Sequence, residues 1–115
     1  MRRPVLIVDD EPDILDCLAE ALELEGYSVH PARNGNVALK VLEQCRPMLI
    51  LLDLNMPDMD GHEFLKVVRG QPQFEKLPIV VMTAGKSSSP GATAFIQKPC
   101  DFSAVLNFVE RYGEP

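Results

Sequence analysis

Met48-Leu49-Ile50-Leu51-Leu52 is an unbroken run of five apolar residues, and Asp53 follows it directly. A strand with one wet face alternates apolar and polar residues, so a short run without alternation marks a strand covered on both faces, as in the middle of a parallel sheet. Asp53 then falls at the end of a buried strand, where a carboxylate is costly without a partner. A two-sided sheet with a charged group at its rim narrows the folds open to this chain.

The other segments agree with that reading. Val5-Leu6-Ile7-Val8 and Leu77 to Met82 are further apolar runs, and Tyr27 to Ala32 and Thr93 to Gln97 complete a set of five strands. Helical spacing separates them. Ile14, Leu15, Leu18, Ala21 and Leu22 form one stripe, which Glu25-Gly26 stops, and the acidic Asp9-Asp10-Glu11-Pro12-Asp13 suits a helix start. Asn34-Gly35 turns into a second helix with Val37, Ala38, Val41 and Leu42 on one face, ending before Pro47. His62 to Arg69 carries Phe64, Leu65 and Val68, and Phe102 to Tyr112 is a last amphipathic helix. Strands alternating with helices predict an α/β fold with one doubly wound, five-stranded parallel sheet. A flavodoxin-like strand order of 2-1-3-4-5 places the first and third strands side by side.

At 115 residues the chain has room for one such core, so residues 1–115 read as a single domain. The net charge of -6, with no basic cluster longer than Arg2-Arg3, argues against a nucleic-acid surface. No apolar run is long enough to cross a bilayer, and Met1-Arg2-Arg3-Pro4 leads into a strand rather than a signal-peptide core, so the expected location is cytoplasmic, away from membranes. Cys17, Cys45 and Cys100 are odd in number and widely spaced, which disfavours a disulfide framework or a zinc site.

Ligands of doubly wound sheets bind beyond the carboxyl ends of the strands. Those ends carry Asp9 and Asp10 after the first strand, Asp53 after the third, Thr83 after the fourth and Lys98 after the fifth. Asp9, Asp10 and Asp53 would converge on one crevice, and three carboxylates together call for a cation. Oxygen donors and a shallow site suit Mg2+. With the charge of Asp53 neutralised, Lys98 offers a point charge and Thr83 a hydroxyl to a phosphoryl group, a pocket suited to in-line transfer onto a carboxylate. Each residue alone has a plainer reading: Asp10 as a helix cap, Thr83 as an ordinary strand end, Lys98 as a solvated charge. Only together do they specify one pocket.

In this order the residues resemble the receiver domains of two-component response regulators over nearly the whole chain. Val8-Asp9-Asp10-Glu11 is similar to that family's acidic pair, and Asp53-Leu54-Asn55-Met56-Pro57-Asp58-Met59-Asp60-Gly61 to its phosphorylation loop. Thr83-Ala84 resembles its switch hydroxyl and Lys98-Pro99 its lysine-proline pair. The resemblance implies direct Mg2+ ligation by Asp10 and Asp53, by Asp9 through water and by the Asn55 backbone carbonyl. It also implies a phosphohistidine donor on a sensor histidine kinase or phosphotransfer protein, a downstream protein partner, and a cis Lys98-Pro99 bond. Phe95 occupies the place of the family's aromatic switch, and a packed aromatic on an edge strand would serve there equally. Such a domain catalyses only its own phosphorylation and dephosphorylation and is no enzyme in the ordinary sense.

The pattern breaks between the fourth and fifth strands. Only Ala84 to Ala92 lies there, with two glycines, a proline and three serines and no apolar stripe, so the fourth of the family's helices is expected to be missing or replaced by a loop. Nine residues reach roughly 30 Å, enough to close a parallel connection without a helix. A mobile serine-rich loop and a partly uncovered sheet face would follow.

Three rivals remain. A haloacid dehalogenase-type phosphatase would want an acid where Asn55 stands, and a flavodoxin-like cofactor protein would not place Asp9-Asp10-Glu11 against a phosphate. A receiver that binds its partner without phosphorylation is the stronger competitor.

Overall fold

The computed structural model describes residues 3–54, 61–83, 91–97 and 102–112. Five parallel strands, β1 (Val5–Val8), β2 (Val29–Ala32), β3 (Leu49–Asp53), β4 (Ile79–Thr83) and β5 (Ala94–Gln97), form one sheet in the order β2-β1-β3-β4-β5. The α-helices are α1 (Pro12–Leu24), α2 (Gly35–Gln44), α3 (Gly61–Arg69) and α4 (Phe102–Tyr112), with a 3₁₀ turn at Pro72–Phe74. This is the flavodoxin-like architecture expected from the alternating runs.

The two faces of the sheet explain the missing alternation. Leu6, Val8, Ile50, Leu52, Ile79 and Val81 pack under Ala38 and Leu42 of α2 and Phe64, Leu65 and Val68 of α3. Their neighbours Val5, Ile7, Leu49, Leu51, Val80 and Met82 pack under Leu15 and Leu22 of α1 and Val105 and Val109 of α4. Every residue of β1 and β3 is buried, so either parity must be apolar. The edge strand β2 differs, exposing His30 and Pro31. Proline is tolerated there because an edge leaves one ladder unused.

Local signals set the helix ends. Asn34 caps α2, its side-chain oxygen accepting from the Val37 amide at 2.8 Å. Pro12 opens α1 at the turn where a missing N–H costs nothing. At the other end of α1, Gly26 takes φ +93° while the amides of Glu25 and Tyr27 both donate to the Leu22 carbonyl. That closure draws Tyr27 into the end of the helix, so β2 begins at Val29, two residues later than its β-prone residues predict.

None of the four described α-helices lies between β4 and β5. Residues 84–90, on which the expectation of a serine-rich loop falls, are outside the described residues. The described end of that crossover is a turn at Gly91 that leads through Thr93 into β5. Ala94 and Ile96 face the α1 and α4 layer, which puts Phe95 on the opposite face, 41% exposed. The sheet surface at β5 is thus partly uncovered, as the short crossover predicts.

Candidate metal and phosphoryl site

Parallel pairing of β1 with β3 aligns Val8 with Leu52, so the next residue of each strand, Asp9 and Asp53, arrives at the same rim. Asp10 follows as the chain leaves the sheet. One carboxylate oxygen from each of Asp9, Asp10 and Asp53 lies within 4.8 Å of the others. Asp9 and Asp53 are almost fully buried, at 0% and 2% exposure, and Asp10 is half-buried. The acids that the strand ends pointed to are brought together.

Backbone bonds hold this rim in place. The Asp9 amide donates to the Ala32 carbonyl at 3.0 Å and the Leu54 amide to the Met82 carbonyl at 3.2 Å, extending the ladders past the strands. The Glu11 amide donates to Asp9 Oδ1 at 3.0 Å, which turns that carboxylate back against its own loop. The N-cap of α1 is Glu11, whose side chain makes no capping bond. Capping of α1 is therefore not what places Asp10 here.

Two like charges at this separation repel by about 3 kcal/mol at an effective dielectric near 20. A divalent cation reverses the sign of that interaction, and the donor set is all oxygen, with no histidine or cysteine. Three hard carboxylate donors, two buried and one half-buried, fit Mg2+ and fit zinc poorly.

The remaining residues divide. Thr83 ends β4, one residue beyond Met82, which pairs with Asp53, so its backbone stands at the same rim. Phe95 pairs with Val81 two residues below that rim. Asn55, Lys98 and Pro99 lie outside the described residues, as does the Thr83 side chain.

Gly61, the last residue of the segment that resembles the phosphorylation loop, is also the first residue of α3. Its amide donates to the Leu54 carbonyl at 2.9 Å, and a Cβ on it would stand 2.4 Å from Leu54 Cα and 2.8 Å from the Asp53 carbonyl oxygen. The first turn of α3 therefore lies directly on the backbone that carries Asp53, an approach only glycine permits. The signal was a glycine at a helix start, where capping preferences alone do not demand one.

Among the described residues no helix is long and apolar enough to cross a membrane. Residues 5–110 match the response regulator receiver domain family. The chain is 36% identical over 119 residues to sporulation initiation phosphotransferase F of Bacillus subtilis, covering 97% of this chain and 94% of that one. It superposes on the chemotaxis protein CheY4 of Vibrio cholerae with a TM-score of 0.90 at 34% identity, covering 97% and 99% of the two chains. The response regulator protein TrrA of Thermotoga maritima, solved in complex with Mg(2+)-BeF, gives 0.85 at 31% identity, covering 96% and 98%. With its strand order, its acidic rim and a family match along nearly its whole length, this chain belongs to the receiver domains of two-component response regulators.

Proposed function

We propose that the chain is a single receiver domain, residues 1–115, that takes a phosphoryl group onto Asp53. The observation that carries this reading is the convergence of Asp9, Asp10 and Asp53 within 4.8 Å at adjacent strand ends, with Asp53 buried. Asp10 and Asp53 would hold Mg2+ directly, Asp9 through water, and Asn55 through its backbone carbonyl. Bound there, Mg2+ supplies positive charge against carboxylate and phosphoryl oxygens.

A carboxylate oxygen of Asp53 attacks phosphorus in line as the P–N bond of a phosphohistidine breaks, and the electron pair leaves with the imidazole nitrogen, which takes up a proton. Lys98 places its ammonium on the phosphoryl oxygens, and the Thr83 hydroxyl donates a hydrogen bond to another. Movement of Thr83 onto the phosphate frees space for Phe95, the proposed aromatic switch, and so alters a protein-binding surface. The donor is a sensor histidine kinase or phosphotransfer protein, a reading that likeness to a Bacillus subtilis phosphotransferase favours. The setting is cytoplasmic, and the domain turns over no substrate besides its own phosphate.

A second reading, a protein-interaction module that works without phosphorylation, draws on the 41% exposure of Phe95 beside a crossover with no described helix. One experiment separates the two. Incubation with Mg2+ and a small acyl phosphate, followed by intact-mass measurement, is expected to add one phosphoryl group to the wild type and none to Asp53→Asn. A wild type that gains no mass leaves only the second reading.

A further inference from the structure

Arg69, the last residue of α3, spends its guanidinium on four oxygens. Nε donates to the Gly91 carbonyl at 2.8 Å, Nη1 to the carbonyls of Phe74 at 2.7 Å and Glu75 at 3.3 Å, and Nη2 to Thr93 Oγ1 at 3.3 Å. The side chain is half-buried, and that desolvation lowers its pKa from the ordinary value. A planar fork reaching several acceptors at once is what arginine offers and lysine does not.

Gly91 and Thr93 are the described end of the shortened crossover. Gly91 has φ +96°, and a Cβ there would meet Arg69 Cγ at 3.0 Å, so glycine serves both the backbone and the passage of the arginine stem. Thr93 grips β4 twice: its amide donates to the Ile79 carbonyl at 2.8 Å, and its Oγ1 accepts from the Ile79 amide at 3.0 Å. Arg69 donates to that same hydroxyl. The start of β5 is therefore tied to β4 by a threonine that Arg69 also holds.

Register matters because β5 is only four residues long, an edge strand paired with β4 alone. Thr83 pairs with Gln97 at its far end, and Lys98 follows Gln97 in sequence. A slip of one residue would carry that end about 3.3 Å along the strand and invert its faces. Where receiver domains place a helix between these strands, this chain has no described helix to resist such a slip.

We propose that Arg69 is a positioning residue for phosphoryl transfer: by clasping Gly91 and Thr93 it fixes the register of β5, whose end at Gln97 immediately precedes Lys98 in sequence. This inference rests on the phosphoacceptor reading above. Arg69 is at the opposite end of α3 from Gly61, and none of Asp9, Asp10 and Asp53 lies on β5 or on β4, the one strand that β5 pairs with. Cation binding and phosphoryl transfer should thus respond differently to its loss.

The test measures both on Arg69→Ala and Thr93→Val. Mg2+ affinity is obtained by calorimetric titration, and the rate of phosphoryl gain from a small acyl phosphate by intact mass. Both variants are expected to bind Mg2+ within about twofold of wild type while gaining phosphate roughly tenfold to a hundredfold more slowly, the cost of a misplaced catalytic group. Unchanged rates in both would overturn the proposal, as would an equal loss of Mg2+ affinity, which would mean that Arg69 only holds the fold. Should Arg69→Ala fail to fold, Thr93→Val decides by the same split. A wild type that gains no phosphate removes the phosphoacceptor reading as well, whereas normal wild-type gain with unaffected variants removes the Arg69 role alone.

Discussion

Gly61 closes directly onto the strand end of Asp53: its amide bonds to the Leu54 carbonyl at 2.9 Å, and a side chain's Cβ would lie 2.8 Å from the carbonyl oxygen of Asp53 itself. Both nearest neighbours include backbone, which cannot rotate away as a flexible side chain can. Gly61→Ala is expected to destabilise the fold by about 1–3 kcal/mol, the usual cost of overpacking a tight site. It should also slow phosphoryl gain, since the strain falls on the segment carrying Asp53, the proposed acceptor. Urea unfolding with parallel intact-mass kinetics measures both, and a midpoint equal to wild type would contradict the close approach.

Asp10 is the half-buried member of three converging acids. Removing its charge relieves repulsion, so Asp10→Asn is expected to raise metal-free stability by about 1 kcal/mol. Mg2+ at about 100 times its Kd should add about 2.7 kcal/mol to the wild type. Most of that increment should vanish in the variant. Thermal unfolding with and without Mg2+ reads both changes, and a wild type indifferent to millimolar Mg2+ would count against the cation site.

Cys17 is exposed, whereas Cys45, just past α2, is half-buried and its thiol pKa is raised by desolvation. Only the thiolate is a good nucleophile, so maleimide at pH 7 should modify Cys17 well before Cys45, with peptide mapping to separate the sites. The raised folded pKa also sets a sign for stability. Its contribution is complete below the unfolded thiol value near 9.0 and declines as pH climbs through the folded value. Stability should therefore fall more steeply above about pH 9 in the wild type than in Cys45→Ser. Equal labelling of the two cysteines at neutral pH would contradict the burial of Cys45.

The two-sided core was legible because it follows from local composition, and the strand order because alternating strands and helices fit the flavodoxin-like arrangement. Met48 to Leu52 cannot pack with a wet face, and each apolar run is separated from the next by a helix-length stripe or, once, by a segment too polar for one. The juxtaposition of Asp9 with Asp53 followed from strand order, because neighbouring parallel strands deliver their final residues to one rim. The boundary at Tyr27 was misplaced for the opposite reason. Its side chain favours a strand, but the turn at Gly26 commits its amide to Leu22, and a hydrogen bond across a turn is invisible to residue preference.

Sequence by itself thus determined the layered fold, the acidic rim and the shortened crossover, since each depends on side-chain polarity and spacing along the chain. Tertiary structure alone decided that Gly61 must be a glycine, that Asp10 is not the N-cap of α1, and that Arg69 clasps Gly91 and Thr93. These relations join atoms from segments that meet only after the sheet has formed. Arg69 is 22 residues from Gly91 and 24 from Thr93, and no periodicity encodes which carbonyls will be left within reach of a guanidinium once α3 has packed.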